Sequence, residues 1–274
     1  MKILIILLNL IHPDFKEDKV VIKKEFEIDD PKSMTVIIDN INGDVQVETS
    51  NDGKLYLTLE IEISAFNDAL VDQAKNELKL GQLLADDSIM FYTKAPFIKK
   101  CQWKNGWGYS MEDQPNYAFK YQYKVRVPKD VSLEAKTVNN GDVMVANIDG
   151  PVKVYNVNGS IEARDVRILR GASTVNGDVT INFLESPKEP ISFNSVNGDF
   201  NFELPADFNA QIYFDTMNGD LYTSFEYAEL APKVTKSQKN GKFKIGSKSG
   251  VEIGSGGPEL SFKSINGSVY LKKS

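Results

Sequence analysis

The chain has 274 residues, of which 41% are hydrophobic and 26% charged, and its formal net charge is −6. This acidic balance argues against a nucleic-acid partner, because neutralising phosphates requires clustered Lys and Arg, and Lys99-Lys100 is the only basic cluster of note. One Cys (Cys101) and one His (His12) cannot supply a disulfide framework, a zinc site, or Ser-His-Asp and Cys-His catalysis. We expect no cofactor and no metal ion.

The N-terminal segment resembles a secretory signal. One Lys at position 2 is followed by a short apolar run to Ile11, and the run is too short for a transmembrane helix. Asn9 interrupts the run and no small-x-small cleavage motif follows, so a buried first strand or a start inside a longer signal are alternatives. We expect residues 1–15 to be an export signal or its remnant, no transmembrane span, and a periplasmic or cell-surface location.

Strands dominate the region that follows. The stretch from Leu55 to Ile63 alternates apolar and polar side chains over nine residues, which is typical of a strand with one buried face. A helix is predicted over Phe66–Leu80, where Phe66, Leu70, Ala74 and Leu78 recur every four residues, with Asn67-Asp68 as the cap and Gly81 as the end. The other predicted strands are Val20–Ile28, Met34–Ile38, Ile89–Tyr92 and Tyr117–Val127. Residues 64–116 read as an irregular, helix-containing part of the domain.

Both tryptophans lie in one short aromatic stretch. Trp103, Trp107 and Tyr109 stand beside Gly106 and Gly108, and such aromatic residues can stack on sugars or on a partner surface. These three residues are the candidate ligand-binding site, with packing against the end of the domain as the alternative. Tyr117, Phe119, Tyr121 and Tyr123 fall at alternate positions and are predicted to form a core face of a strand.

A short phrase, Asn-Gly followed by Asp or Ser, recurs along the chain. From Gly141 to Gly219 the glycines are spaced 18, 18, 21 and 21 residues apart. Asn and Gly tolerate positive φ, so each phrase is predicted to turn the backbone sharply. Apolar residues follow at alternate positions, which indicates strands. The predicted turn glycines are Gly43, Gly141, Gly159, Gly177, Gly198, Gly219 and Gly267.

Two all-β architectures fit this repeat. An antiparallel meander would join neighbouring strands through Asn-Gly hairpins, whereas a β-solenoid (a single-stranded β-helix) would stack each coil on the last with a structural Asn column along one edge. The variable second corners favour the solenoid. It predicts one domain over residues 16–274, regular coils over 129–274, a loop-rich hairpin over Lys239–Gly257, and Val143, Val179, Phe200 and Leu221 in register in the interior.

Stacked coils would also place the repeated aspartates in a column. Rows of carboxylates attract calcium, but Ser160 and Ser268 break the column and no calcium-roll motif is present. We therefore expect Asp142, Asp178, Asp199 and Asp220 to bond to backbone N–H groups in their turns.

The run from Tyr121 to Val131, which contains Val127-Pro128-Lys129, leads into Asn140-Gly141-Asp142-Val143 and the later corners. This combination resembles the DUF4097 family, whose members are called putative adhesins and occur on bacterial envelopes, notably in Bacteroidetes. The resemblance covers about residues 115–270 and, more loosely, Val20–Ile63. It implies a β-helix-like fold, export and no catalytic activity, and it supplies no functional residues. The pair Asn139-Asn140 and the long segment between Gly219 and Gly267 depart from the pattern.

These observations predict a non-enzymatic, envelope-associated binding or structural module, adhesin-like, with a cell-surface glycan or an envelope protein as partner. One alternative is a carbohydrate-active enzyme on a β-helix scaffold, which would need a pair of carboxylates in a cleft. Another is an envelope-stress sensing domain.

Overall fold

The fold is given by a computed structural model, which describes residues 15–103, 106–111, 114–239 and 242–274, with side chains described except at 100–109, 111 and 234–248. His12 and most of the expected export signal lie outside these residues. The described part contains one helix, α1 (Asp68–Glu77). Its strands, in chain order, are β1 (Lys16–Phe26), β2 (Thr35–Asp39), β3 (Val45–Thr49), β4 (Leu55–Ala65), β5 (Lys79–Leu84), β6 (Ser88–Lys94), β7 (Ile98–Trp103), β8 (Gly106–Met111), β9 (Tyr117–Val127), β10 (Ser132–Lys136), β11 (Val143–Ala146), β12 (Pro151–Tyr155), β13 (Ile161–Val166), β14 (Ile168–Ser173), β15 (Val179–Phe183), β16 (Ile191–Asn194), β17 (Phe200–Leu204), β18 (Ala210–Asp215), β19 (Leu221–Thr223), β20 (Tyr227–Lys239), β21 (Lys242–Ile253), β22 (Glu259–Lys263) and β23 (Val269–Lys273).

The strands form two large mixed sheets and one separate hairpin, β7–β8. Sheet A has the spatial order β1-β4-β9-β3-β11-β13-β15-β17-β23-β19, and sheet B has the order β20-β21-β18-β22-β16-β14-β12-β10-β2-β6-β5. Neighbouring strands that flank the Asn-Gly corners pair in parallel, such as β11 with β13 and β12 with β14. Parallel pairing is incompatible with the antiparallel meander. Antiparallel pairs lie toward the ends of the sheets, at β1–β4, β4–β9, β5–β6, β18–β21 and β20–β21.

Each Asn-Gly corner joins a strand of sheet B to the next strand of sheet A. We call a strand of sheet B, the corner after it and the following strand of sheet A a repeat. One example is β14, its corner and β15. The inward side chains of the two sheets meet in a common core, because residues along each strand alternate between core and solvent. Phe262 of sheet B packs with its ring centroid 5.4 Å from that of Phe200 and 5.1 Å from that of Phe202, both in sheet A. The predicted core face of β9 is confirmed: Tyr117, Phe119, Tyr121 and Tyr123 are all buried.

The last repeat in the sequence is not the last repeat in space. In sheet A, β23 lies between β17 and β19, and in sheet B, β22 lies between β16 and β18. The repeat β18–β19 therefore leaves one strand position open in each sheet, and the C-terminal repeat fills both. The predicted register is confirmed, because Val143, Val179 and Phe200 are fully buried at equivalent positions and Leu221 packs partly buried at the same level. Their order differs, since Val269 separates Phe200 from Leu221.

The helix is shorter than predicted. It spans Asp68–Glu77, and Asn67 is the N-cap, whose side chain accepts a hydrogen bond from the backbone N–H of Leu70. The predicted end at Gly81 is wrong, because Leu78 ends the helix and Gly81 lies in β5, where it pairs with Tyr92. Phe66 precedes the cap and is 59% exposed, so it lies outside the buried face, which includes Ala74 and Leu78.

Two further expectations differ from the structure. Lys239–Gly257 is not rich in loops: β20 and β21 are long strands that form an antiparallel hairpin on the edge of sheet B. Residues 64–116 include β6, which pairs in parallel with β2 and so extends the regular sheet beyond the first repeat. No helix in the described ranges is long and apolar enough to cross a membrane.

Candidate functional site

Asparagine side chains connect the repeats along the corner edge. At each junction the Nδ2 group of one Asn donates to the Oδ1 atom of the Asn in the preceding repeat, at 2.7 or 2.8 Å. Asn139 and Asn140, which depart from the repeat in sequence, share one position: Asn140 donates to Asn42, and Asn139 accepts from Asn158. The other bonds run from Asn176 to Asn158, Asn197 to Asn176, Asn266 to Asn197 and Asn218 to Asn266.

The aspartate column bonds to backbone N–H groups, but not within its own turns. The Oδ1 atom of Asp178 accepts from the N–H of Asp199 in the next repeat (2.8 Å), and the Oδ1 atom of Asp142 accepts from the N–H of Ser160 (2.7 Å). The side chains therefore join repeats rather than close turns, which corrects the prediction. Among the described residues, no group of three or more His, Cys, Asp or Glu side chains is placed to hold a metal ion.

A third polar column lies inside the corners and was missed in the sequence. Thr137, Asn156, Thr174 and Thr216 donate side-chain hydrogen bonds to the carbonyl oxygens of corner glycines, at 2.7–3.2 Å. The Gly43 carbonyl also accepts from the Nδ2 group of Asn40 (2.9 Å). The signal was present in the sequence, because Asn156, Thr174 and Thr216 stand two positions before the Asn of their corners, and Thr137 stands two positions before Asn139.

The corner glycines are needed for close approach more than for positive φ. Gly177, Gly198 and Gly219 have φ of 146°, 141° and 158°, but Gly159 is not among the glycines with positive φ. A Cβ atom on Gly159 would nevertheless lie 2.1 Å from the carbonyl oxygen of Gly141, and a Cβ on Gly177 would lie 2.2 Å from that of Gly159. The repeats thus pack glycine against glycine, and no side chain fits between them.

The outer face of sheet A carries a concave groove with a volume of about 820 Å³. It lies where the parallel repeats meet the antiparallel strands β9, β4 and β1. Outward side chains come into register across these strands: Lys124 lies between Gln46 and Thr58, and Arg126 lies between Glu48 and Tyr56. Residues from β1, β11 and β13 complete the lining, among them Lys23, Lys24, Glu25, Met144, Glu162 and Arg164.

Cations outnumber anions in this groove. Its lining has five, Lys23, Lys24, Lys124, Arg126 and Arg164, against Glu25, Glu48 and Glu162. Two of the three carboxylates are engaged, because Glu25 pairs with Lys54 (2.8 Å) and Glu162 with Arg164 (2.5 Å). Among the residues that the structure describes, neither Lys124 nor Arg126 makes an ion pair. Both therefore remain available to an anionic ligand.

Arg126 is held by an aromatic ring at the groove wall. Its Cζ atom lies 4.7 Å from the centroid of the Tyr56 ring, a cation–π contact that orients the guanidinium group along the surface. The Tyr56 hydroxyl donates to the Oδ2 atom of Asp52, and this hydrogen bond raises the pKa of Tyr56 and lowers the pKa of Asp52. Asp52 thereby fixes the ring on which Arg126 packs.

Two carboxylates of the groove come from strands that are not neighbours in sheet A. Glu48 is on β3 and Glu162 on β13, with β11 between them, so their strands are about 9.6 Å apart at the usual spacing. They also differ by two positions in register, because Glu48 aligns with Ala146 and Glu162 with Met144. The sheet register therefore does not bring the backbones of the two residues side by side.

The aromatic stretch predicted as a ligand site lies in the hairpin β7–β8, outside both large sheets. Trp103 ends β7, and Trp107 and Tyr109 are in β8, where Trp107 pairs with Gln102 and Tyr109 with Lys100. The backbone therefore forms paired strands rather than a loop. The side chains of Trp103, Trp107 and Tyr109 lie outside the described residues, so their role stays a prediction.

No protein-family model and no curated protein matches the chain. Among solved structures, it is similar to a "putative cell adhesion protein" from Clostridium sporogenes, with 11% identity and a TM-score of 0.45 over 94% of this chain and 100% of that one. A "putative adhesin" from Bacteroides fragilis matches with 12% identity and a TM-score of 0.31, over 92% and 97% of the two chains. A "putative lipid binding protein" from Parabacteroides distasonis matches with 17% identity and a TM-score of 0.30, over 93% and 96%. These values are too low to transfer a ligand or a partner to this chain.

Proposed function

We propose that the protein is a non-enzymatic binding module of the bacterial envelope that binds an acidic polysaccharide in the groove of sheet A. The observation that carries this proposal is the cluster of Lys23, Lys124 and Arg126 on one concave surface of a chain whose net charge is −6. A local excess of cations on an acidic protein attracts anions to that surface and repels them elsewhere.

The form of the groove favours a long ligand over a small one. The groove is open along its length and its lining comes from six strands, β1, β3, β4, β9, β11 and β13. A polymer that crosses these strands meets a new row of side chains about every 4.8 Å. Carboxylate groups along a glycan can pair with Lys124 and Arg126, while Gln46 offers an amide to sugar hydroxyls.

The finer description of the fold is part of the same proposal. Parallel pairing of successive repeats, in two sheets with a shared core, is what a two-sheeted β-solenoid would give. Membership of the DUF4097 family, export and an envelope location also belong to the proposal, and they rest on the Val-Pro-Lys and Asn-Gly-Asp motifs and on the N-terminal segment. Such a surface would act as a rigid platform, in adhesion or in holding an envelope glycan.

The groove predicts salt-dependent binding that two substitutions weaken. Polygalacturonate should bind in isothermal titration calorimetry at low salt and neutral dextran should not, because exposed charge pairs are screened at higher ionic strength. Lys124→Gln and Arg126→Gln should each weaken binding about tenfold, the equivalent of one charged hydrogen bond. Lys153→Gln, on the outer face of sheet B, is the matched control and should leave the affinity unchanged. Equal binding by all three variants would contradict the assignment.

The same titration tests the aromatic hairpin. If Trp107 contacts the glycan, Trp107→Ala should abolish binding while the melting temperature stays nearly unchanged. If Trp107 is packed, the substitution should instead destabilise the protein by about 3–5 kcal/mol, as truncation of a buried large aromatic residue does.

A further inference from the structure

Sheet A ends at an edge that none of the described strands covers. Its last strand, β19, pairs with β23 on one side, and no described strand pairs with its other side. Sheet B continues further at the same end, because β21 and then β20 are added beyond β18. The hairpin β20–β21 therefore extends past the edge of sheet A, and within the described part of the chain no strand lies in the position beside β19.

The six junctions between repeats show which groups a further strand must supply. At a junction the N–H of a corner Gly donates to the backbone oxygen of the next Asn, as from Gly159 to Asn176 (2.8 Å), and Ile161 donates likewise to Asp178 (2.8 Å). In return, the Asn Nδ2 group of the next repeat donates to the Asn side chain of the preceding repeat, as Asn197 does. The backbone N–H of its Asp or Ser donates to the Asp or Ser side chain of the preceding repeat, as Asp199 does.

At β19 these groups have no partner of the usual kind in the ranges that the structure describes. In parallel pairing, the backbone N–H and C=O groups of successive residues point to opposite edges of the strand. The carbonyl oxygen of Asp220 accepts from the N–H of Val269 on the covered side. The backbone groups of Leu221 and Thr223 therefore point away from β23. Among the described residues, nothing donates to the Oδ1 atom of Asn218, and the carboxylate of Asp220 is contacted only by the Tyr222 hydroxyl at 3.4 Å.

The opposite end of the ladder is closed. There the backbone N–H of Asp44 donates to the Oε1 atom of Gln122 (2.8 Å), and Asn42 donates to the carbonyl oxygen of Phe119 (2.5 Å). The long outer edges are also protected, since β1 carries four lysines and β20 carries Pro232 and Lys233. Strand β19, with the sequence Leu-Tyr-Thr, contains neither a lysine nor a proline.

A cleft with a mixed apolar and polar lining lies beside the free edge. It has a volume of about 590 Å³ and is lined by side chains of both sheets, including Phe214, Leu221, Leu230 and Val251. Phe214, Leu221 and Val251 pack partly buried against the core, and Tyr227 is 58% exposed. The cleft offers burial to the inward side chains of an added strand.

We propose that this end is a strand-accepting site, which takes one extended segment of a partner polypeptide that carries an Asn-Gly-Asp or Asn-Gly-Ser phrase. The segment pairs in parallel with β19. Its Asn donates to Asn218, its Asp or Ser N–H donates to Asp220, and its backbone oxygens accept from Gly219 and Leu221. Its glycine is required, because the glycine of each repeat packs on the glycine carbonyl of its neighbour. Alternate apolar residues of the segment fill the cleft.

The test uses a labelled peptide with the sequence of residues 195–204, Ser-Val-Asn-Gly-Asp-Phe-Asn-Phe-Glu-Leu, added to the full-length protein. Fluorescence anisotropy should show saturable binding, and the peptide with Asn197→Ala or Gly198→Val should bind at least about tenfold more weakly, the loss expected for about 1.4 kcal/mol. Thr223→Pro in the protein should abolish binding, because it removes an outward N–H and places a ring over the edge.

Asp220→Ala provides a second variant that leaves the backbone of β19 intact. It should weaken peptide binding about tenfold, whereas Asp130→Ala, an exposed control far from the edge, should not. The proposal is overturned if the peptide does not bind at millimolar concentration, if the Asn197 and Gly198 variants bind equally well, or if Asp220→Ala has no effect. Self-association that Thr223→Pro abolishes, without peptide binding, would assign the edge to a second copy of the chain instead.

Discussion

Gly177→Val should destabilise the protein by about 4 kcal/mol or more, one of the largest losses expected for a single substitution. Two effects add at this position. A β-branched residue is strained at a φ of 146°, and its Cβ atom would lie 2.2 Å from the carbonyl oxygen of Gly159, so the repeats would have to separate. Urea unfolding followed by circular dichroism measures the free energy of unfolding.

A series of alanine substitutions separates the two effects. Gly171→Ala has neither strain nor a clash, because its nearest contact is 3.5 Å away, and should change the unfolding free energy by less than about 0.5 kcal/mol. Gly53→Ala has positive φ (77°) in open space and should destabilise by about 1 kcal/mol. Gly159→Ala has only the clash and should destabilise by about 3 kcal/mol. Equal stability of the Gly159 and Gly171 variants would contradict glycine-to-glycine packing.

Phe262→Ala should destabilise the protein by about 3–5 kcal/mol, the usual range for truncating a buried aromatic residue. Phe262 is 1% exposed and stacks on Phe193 with 4.9 Å between the ring centroids. Because it belongs to the inserted C-terminal repeat, its loss should loosen the contact of that repeat with both neighbours. Phe66→Ala, at a site 59% exposed, is the control and should change stability by less than about 1 kcal/mol. Similar losses for both variants would mean that the C-terminal repeat is not buried in the core.

The local structure could be read from the sequence because its causes are local. Alternation of apolar residues at Val179, Ile181 and Phe183 specifies a strand and its buried face, and an Asn-Gly pair specifies a sharp corner, whatever the rest of the chain does. The cap of α1 at Asn67 is equally local. The register of the repeats follows from the same alternation, since a shift by one residue would expose the buried face.

The order of the repeats could not be read in this way. Every corner presents the same hydrogen-bonding groups, so the phrase at Gly267 fits against the phrase at Gly198 as well as the phrase at Gly219 would. Sequence alone therefore does not tell which repeat lies next to which. The groove is likewise non-local, because Arg126 lies on β9, which is distant in the chain and pairs between the consecutive strands β3 and β4 that carry Glu48 and Tyr56. For that reason the residues that line the groove could not be predicted from the sequence.

Disulfide trapping of strand neighbours tests the inserted C-terminal repeat most directly. In a Cys101→Ser background, Asn201→Cys with Tyr270→Cys places two cysteines on adjacent strands in register, within the Cα separation of about 4.4–6.8 Å that a disulfide requires. Asn201→Cys with Tyr222→Cys places them two strands apart, at about 9.6 Å. Mild oxidation followed by mass spectrometry should show an intramolecular disulfide in the first pair and none in the second. A disulfide in the second pair and none in the first would mean that the repeats follow chain order and that the C-terminal repeat is not inserted.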